Sequence, residues 1–451
     1  MPDLCLTLQT DPPVALYRGA RPGDLDIVYP RLLSFTSVRT ALRFDGGEVG
    51  NCTVGIDNAD GSLTAPLAAD ALLASAELTL GGSALFSGVV QSVTLGASAR
   101  LDIEAGHYTD PLPLRTAAAL GDYQDLTPMP LVYGVATLAP IPMGNTGKRW
   151  LLADHAIAGV DQVRAGSAVL GAWSWRNALD DSGHPIALLE TQFPYSTGDL
   201  SVTLRGMQHP TTGALMDTPD LILWHLLSQV GGMTLDPARM DDLRAWCAES
   251  GLKIGGVLSD QSLTIQSAAD RICQGCGLAW SPLARGLALP WPPIESESLA
   301  EVTLYRAPAL RATAEGRSVA THLEVSYDWD DAARSYRASL TVAALDVADA
   351  LGREVRQSVT LPWVRSARDA VTHATRHMAW TARTLWEITA SMPSGQAIEG
   401  DWVTLTHPYS PITAGVLWSR DITLDGETWT VTGPQGAAPT ITLISSAQIN
   451  T

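Results

Sequence analysis

Prolines at positions 111, 113, 128, 130, 140 and 142 forbid a long helix in the stretch that follows the first hundred residues. Proline has no backbone N–H, and its ring clashes with the preceding turn, so each one ends or kinks a helix. What remains available is short extended structure. The residues before this stretch read the same way. Leu78-Thr79-Leu80, Ala84 to Val90 and Val93-Thr94-Leu95 set β-branched and apolar residues between glycines, and Leu101-Asp102-Ile103-Glu104 alternates with the period of two of a half-buried strand. Asp45-Gly46 and Asp60-Gly61 offer tight turns, because glycine accepts positive φ. Residues 1–110 are therefore expected to form a small antiparallel β-barrel or sandwich. Residues 111–214 are expected to form a β-rich inserted lobe, with strands at Leu131-Val132-Tyr133 and Ala168-Val169-Leu170. Trp150, Trp173 and Trp175 either fill the core of that lobe or anchor it on a neighbour.

The pattern changes at Thr218. Thr218-Pro219 ahead of Leu221 to Leu227 has the form of a capped helix with proline at its first position. A second helix is expected from Asp236-Pro237 to Ser250, stopped by Gly251, and a third from Thr264 to Gly275 or Gly277. Lys253 to Val257, Leu278 to Trp280 and Leu287 to Leu289 read as strands. Residues 215–297 are thus expected to be an α+β domain. In residues 298–451, His322 to Tyr327 and Tyr336 to Val342 alternate, and one helix starts at Ser366, with Asp369 at capping-box spacing, and runs to about Arg383. Asp421 to Leu424 and Thr428 to Val431 flank Asp425-Gly426 as a hairpin. The expected fold is mainly β with α+β parts, carrying a small β-domain at each end.

At 451 residues the chain exceeds what one core organises, and two to four domains are expected. Charged residues make up 17% against about 25% in typical soluble domains. That suits a subunit packed against others, and a large apolar core would read alike. The net charge of −18 argues against wrapping duplex DNA, because phosphates repel an acidic surface. Nothing resembles a signal peptide or a membrane span, so cytoplasmic synthesis without membrane insertion is expected. Five cysteines make a secreted disulfide framework improbable by parity alone.

Few constellations propose chemistry. His373 and His377 share a helix face at i,i+4, but no glutamate follows His373 and Arg376 would repel a cation, so they read as exposed polar residues. Gly144 to Arg149 looks like a phosphate loop, yet Pro142 and Arg149 occupy the positions that need glycine and a hydroxyl. Asp180-Asp181, Asp241-Asp242 and Asp330-Asp331 are adjacent in sequence and point different ways, unlike an acid/base pair. Cys273 and Cys276, with Cys247 on the preceding helix, are candidates for zinc or part of an iron–sulfur cluster, against the alternative of small buried thiols. No catalytic residue is proposed.

Three stretches resemble tail-tip, or baseplate, hub proteins of tailed bacteriophages. They are Thr360-Leu361-Pro362-Trp363-Val364-Arg365-Ser366-Ala367 leading to Gly400-Asp401; the helix–helix–strand–helix block from Asp217 to Pro290; and Pro130-Leu131-Val132-Tyr133-Gly134 with Asp154-His155 beyond. Their order along one chain carries the resemblance to these siphophage-type hubs. It implies two tail-tube-like β-barrel domains per subunit and a homotrimeric ring that joins a sixfold tube to a threefold tip. It also implies a channel for tape-measure protein and DNA without specific nucleic-acid binding. The partners it implies are a distal tail protein and other baseplate or fibre proteins, and the location it implies is the virion, after assembly in the host cytoplasm. Related tip proteins hold an iron–sulfur cluster, but Cys247, Cys273 and Cys276 do not match a four-cysteine pattern. The alternatives are a distal tail ring, a receptor-binding module suggested by the tryptophans, and a cell-wall hydrolase.

Overall fold

A computed structural model of the chain describes residues 4–10, 13–18, 27–35, 38–41, 52–80, 83–104, 110–117, 127–144, 146–233, 235–281, 287–291, 300–303, 310–314, 319–392, 397, 399–406, 410–423 and 426–448. The elements are mainly strand, arranged in several sheets with helices between them.

The first sheet has eight strands, in the spatial order Ile27–Tyr29, Val14–Arg18, Leu4–Leu8, Ser75–Leu80, Ser83–Thr94, Ser98–Glu104, Cys52–Asp57, Leu32–Phe35. Period-two sequence becomes period-two burial: Leu4, Leu6, Leu8, Val54, Ile56, Leu101 and Ile103 all point inward. The last strand of this order approaches Val14–Arg18 near the other end, so the sheet curls toward a barrel. Helix α1 (Thr64–Asp70) buries Leu67 against the same core. Gly61 turns at φ 70° as expected, while the Asp45-Gly46 turn lies outside the described residues.

The proline-rich stretch opens into two four-stranded sheets. One orders Val135–Leu138, Leu200–Met207, Ile157–Ala165 and Ala168–Val169; the other orders Ile141–Met143, Arg149–Ala153, Pro185–Thr191 and Trp173–Leu179. Pro142 sits on an edge strand, where a missing N–H breaks no inner ladder. Trp150 is buried in the core between the sheets, and Trp173 and Trp175 pack at its margin.

The helical unit follows its caps. Helix α2 (Pro219–Trp224) runs on into a π-helical turn, His225–Val230. Helix α3 (Pro237–Ser250) is capped by the Asp236 side chain, which accepts from the Ala238 N–H, and stops at Gly251 with φ 63°. Helix α4 (Ile265–Cys276) begins in a capping box between Thr264 and Ser267 and stops at Gly277, not Gly275. The expected strand at Lys253 to Val257 is shifted to Gly256–Leu258, where it pairs with Leu131–Tyr133 of the lobe.

Among the described residues, those beyond 298 carry two sheets and two helices where one barrel with one helix is expected. A four-stranded sheet orders Arg356–Leu361, His322–Asp330, Ser335–Ala343 and Thr442–Gln448, beside α5 (Leu345–Leu351) and α6 (Ala367–Thr381). Helix α5 has no buried residue, so it leaves no apolar stripe to read. The final sheet orders Ala300–Thr303, Trp402–Thr406, Ala414–Thr423, Gly426–Pro434, Leu385–Met392 and Arg311–Ala314. Its central hairpin is the expected one, although Leu424 and Asp425 lie outside the described residues. One continuous core joins the first sheet, the helices and the four-stranded sheet, whereas the lobe and the final sheet keep cores of their own. Among the described residues no helix is long and apolar enough to cross a membrane.

Candidate functional site

Cys247, Cys273 and Cys276 converge where α3 meets α4, and all three are buried and free. Burial pushes the Cys247 thiol up to about 12 and raises Cys273 and Cys276 further. The Cys276 thiol donates to the Cys273 carbonyl at 3.5 Å. Among the described residues no group of three or more His, Cys, Asp or Glu is placed to hold a metal ion. The donor set does not fit zinc or an iron–sulfur cluster.

His373 and His377 are not exposed, as the sequence suggests, but buried at 3% and 8% exposure. They lie on the face of α6 that also buries Ala370, Ala374 and Met378. Arg376 between them donates to the carbonyls of Trp291 at 3.1 Å and Gly277 at 3.3 Å. His373 Nε2 and His377 Nδ1 are buried without a partner among the described residues. Burial lowers both rings, His377 to about 4. Uncharged imidazoles beside an arginine make this a packing seam between α6 and the end of α4.

The other motifs are structural. Gly144 and Gly147 turn a hairpin between two strands, with no helix N-terminus to receive a phosphate. Asp180 pairs with Arg115 and accepts from the Ser182 and His184 N–H groups. Asp330 holds Arg337 at 2.6 Å, and Asp241 holds Arg244 at 2.5 Å.

The feature with functional reach is one the motifs do not touch. The final sheet and the first share a strand order. In the first sheet, with Val14–Arg18 and Ile27–Tyr29 set aside as additions at one edge, the strands in chain order are Leu4–Leu8, Leu32–Phe35, Cys52–Asp57, Ser75–Leu80, Ser83–Thr94 and Ser98–Glu104. In the final sheet the same places are taken by Ala300–Thr303, Arg311–Ala314, Leu385–Met392, Trp402–Thr406, Ala414–Thr423 and Gly426–Pro434. Numbered along the chain, both sets lie in space as first, fourth, fifth, sixth, third, second. The chain therefore holds two repeats of one sheet topology. They differ in the first strand, which is antiparallel to its neighbour in one repeat and parallel in the other.

The repeats are joined by a strand. Val38–Ala41, which follows the second strand of the first repeat, pairs with the second: Ala41 opposite Ser419, Thr40 opposite Arg420, Arg39 opposite Asp421 and Val38 opposite Ile422. It occupies the edge of Ala414–Thr423 that Trp402–Thr406 leaves open, since the latter pairs only with Ala414 to Val416. Behind the seam Arg420 donates to Glu399 at 2.9 Å and lies 3.7 Å from Glu427, and both glutamates are buried. In the first repeat the fifth strand, Ser83–Thr94, meets its fourth-strand partner only as far as Val89, with backbone bonds between Val90 and Leu73 and Ala74. On that side Gln91 to Thr94 face no strand among the described residues, and Gln91 and Thr94 are exposed. Bare edges of this kind are avoided unless something covers them.

No protein-family profile matches the sequence, and no curated protein matches it. Solved structures do. A component of the virion of a native gene transfer agent particle is similar over 74% of this chain and 89% of its own, with a TM-score of 0.50 at 12% identity. A tail protein from Neisseria meningitidis MC58 aligns over 95% of each chain, with a TM-score of 0.44 at 9% identity. The 43 kDa tail protein of prophage MuSo2 from Shewanella oneidensis aligns over 96% of this chain and 97% of its own, with a TM-score of 0.41 at 8% identity. The resemblance to phage tail proteins noted in the sequence is thus met again among solved structures, and at these identities it is a likeness of fold.

Proposed function

We propose that the chain is a non-enzymatic structural subunit of a phage-type tail, acting as the hub of its tip or baseplate. The observation that carries this reading is the pair of sheet repeats bridged by Val38–Ala41. A subunit with two equivalent tube-like units closes a pseudo-sixfold ring with three copies and so joins a sixfold tube to a threefold tip. The cis bridge supplies the template for the trans contact. Gln91 to Thr94 in the first repeat stand where Ser419 to Ile422 stand in the second, and in the ring they take a strand from the neighbouring subunit. The fold of a gene transfer agent virion component supports the same reading. The lumen would pass tape-measure protein and DNA, and the net charge of −18 suits a wall that DNA does not adhere to. A distal tail protein above and baseplate or fibre proteins below are the implied neighbours, and the virion is the implied location. A distal ring built from one such unit per chain needs six copies, and the two repeats favour three.

Native mass spectrometry of the purified protein tests this, with Gln91→Lys/Thr94→Lys as the comparison. The wild type is expected as a homotrimer. The double variant, altered only at exposed positions, is expected to unfold at an unchanged temperature but to remain monomeric. A hexamer, or a trimer indifferent to the two lysines, overturns the assignment of that edge.

A further inference from the structure

A cavity of about 620 Å³ opens where the lobe, helix α4 and the four-stranded sheet meet. Ring assembly makes no use of it. Its volume lies in the range of small-ligand sites, about 300–1,000 Å³. One wall is the turn between His322–Asp330 and Ser335–Ala343. The Asp330 carboxylate fixes this turn, accepting from the Ala332 and Ala333 N–H groups through Oδ1 and from Arg337 through Oδ2. The turn and its flanks present Trp329, Asp331, Arg334 and Tyr336 to the cavity. Arg334 and Asp328 adopt φ of 51° and 59°, two of the three non-glycine residues with positive φ among those described. Strain of this kind concentrates at sites that bind or react.

Arg365 lines the cavity beside this turn. Its Nε donates to the Gly255 carbonyl at 2.9 Å, and its Nη1 donates to Asp328 Oδ1 at 3.1 Å and to the Trp329 carbonyl at 2.6 Å. Those bonds fix the guanidinium plane. The third nitrogen, Nη2, is buried with no acceptor among the described residues. Without accessible surface Nη2 does not reach the cavity, so Arg365 serves as a fixed support behind its wall. With Arg365 paired to Asp328, the lining carries Arg271 and Arg334 against Asp331, a local excess of positive charge in a chain of net charge −18. Trp329 and Tyr336 are half-buried, edge to face with centroids 4.9 Å apart. Asp331 accepts from Trp329 Nε1 at 3.2 Å, which leaves acceptor capacity facing the cavity.

We propose that this cavity binds an acidic saccharide unit, a sugar ring bearing a carboxylate. The carboxylate meets Arg334 and Arg271, in the charge-assisted geometry that guanidinium favours. The ring lays its C–H face on Trp329, and Asp331 accepts from its hydroxyls. A purely apolar ligand would leave the arginines unmet, and a simple anion would leave the aromatic wall bare.

The test is titration of the full chain with digalacturonic acid, read by tryptophan fluorescence and by saturation-transfer NMR. Lactose serves as the neutral disaccharide and glutarate as the ringless diacid. Saturable binding of the acidic sugar alone is expected. Arg334→Gly removes a guanidinium while easing the left-handed backbone, so the fold is kept, and about a tenfold loss of affinity is expected. Trp329→Ala is expected to abolish the ring contacts in the NMR spectrum. Equal binding of lactose or of glutarate, binding unchanged in both variants, or no saturable signal with the wild type each overturns the proposal.

Discussion

At the scale of single residues, the buried histidines set how the protein responds to acid. His155 shows why. Its Nε2 accepts from the Val132 N–H at 2.9 Å, and its Nδ1 is paired with the Ala156 carbonyl at 2.9 Å. That arrangement needs a neutral ring, because a protonated Nε2 cannot accept. Burial lowers His155, His225 and His377 to about 4, against 6.5 in an unfolded chain. Between those values the unfolded state binds more protons than the folded one. Stability is therefore full above about pH 6.5 and falls as the pH drops toward 4, by ~1.4 kcal/mol per pH unit for each such ring. Thermal unfolding followed from pH 7 to pH 5 is expected to show a falling midpoint. His377→Gln is expected to flatten that slope, and a midpoint that does not move with pH would count against neutral burial. These rings were not legible in the sequence as buried. Alternation of His373, Arg376 and His377 with alanines resembles a polar helix face until the helix is known to pack on the end of α4.

At the scale of elements, the caps and stops were the legible part. Asp236, Thr264 and Ser366 each start a helix with a side-chain hydrogen bond, and glycines at 251 and 277 end two of them in the left-handed region. Such signals are local, so they survive reading without a structure. Gly277 carries a second demand. A Cβ there would lie 2.1 Å from His373 Nδ1, so the helix stop is also the point where α6 comes closest. Gly277→Ala is expected to lower stability by about 2 kcal/mol or more, combining positive-φ strain with a forced shift of α6. Chemical denaturation would measure it. A loss confined to a few tenths would mean that His373 moves aside freely. Elements without a local signal were missed: α5, which buries nothing, and the strand Val38–Ala41, whose partner is remote. A β-domain at each end was expected, but the shared strand order was hidden, since it is reached with different side chains. The cavity was hidden for a related reason: its arginines and aromatics come from α4, the hairpin turn and the segment before α6, which no spacing rule connects.

At the scale of the whole molecule, the two repeats differ in how they are anchored. The first shares one core with the helices and the four-stranded sheet, while the second has its own and is tied in by Val38–Ala41, by Ile422 in the shared core and by Trp380 of α6 against Trp402 and Val416. Arg420→Met removes the cation between the buried carboxylates of Glu399 and Glu427. A loss of about 3–5 kcal/mol in the second repeat is the usual consequence of such a break. Calorimetry is expected to split into two transitions, the earlier belonging to the final sheet. A single transition shifted as a whole would mean that the repeats unfold as one unit.

The strand that joins the repeats also imposes a schedule on the chain's birth. Val38–Ala41 leaves the ribosome early, and its partner, Ser419 to Ile422, emerges only after the lobe, the helices and the four-stranded sheet have been made. Until then the edge it will cover does not exist. Contacts this distant in sequence form late, because a long loop must close before they are rewarded. A nascent chain halted before Ala414 thus presents a first repeat with its bridging strand unpaired. Only a chain synthesised through that strand can fold into a unit with both repeats in place.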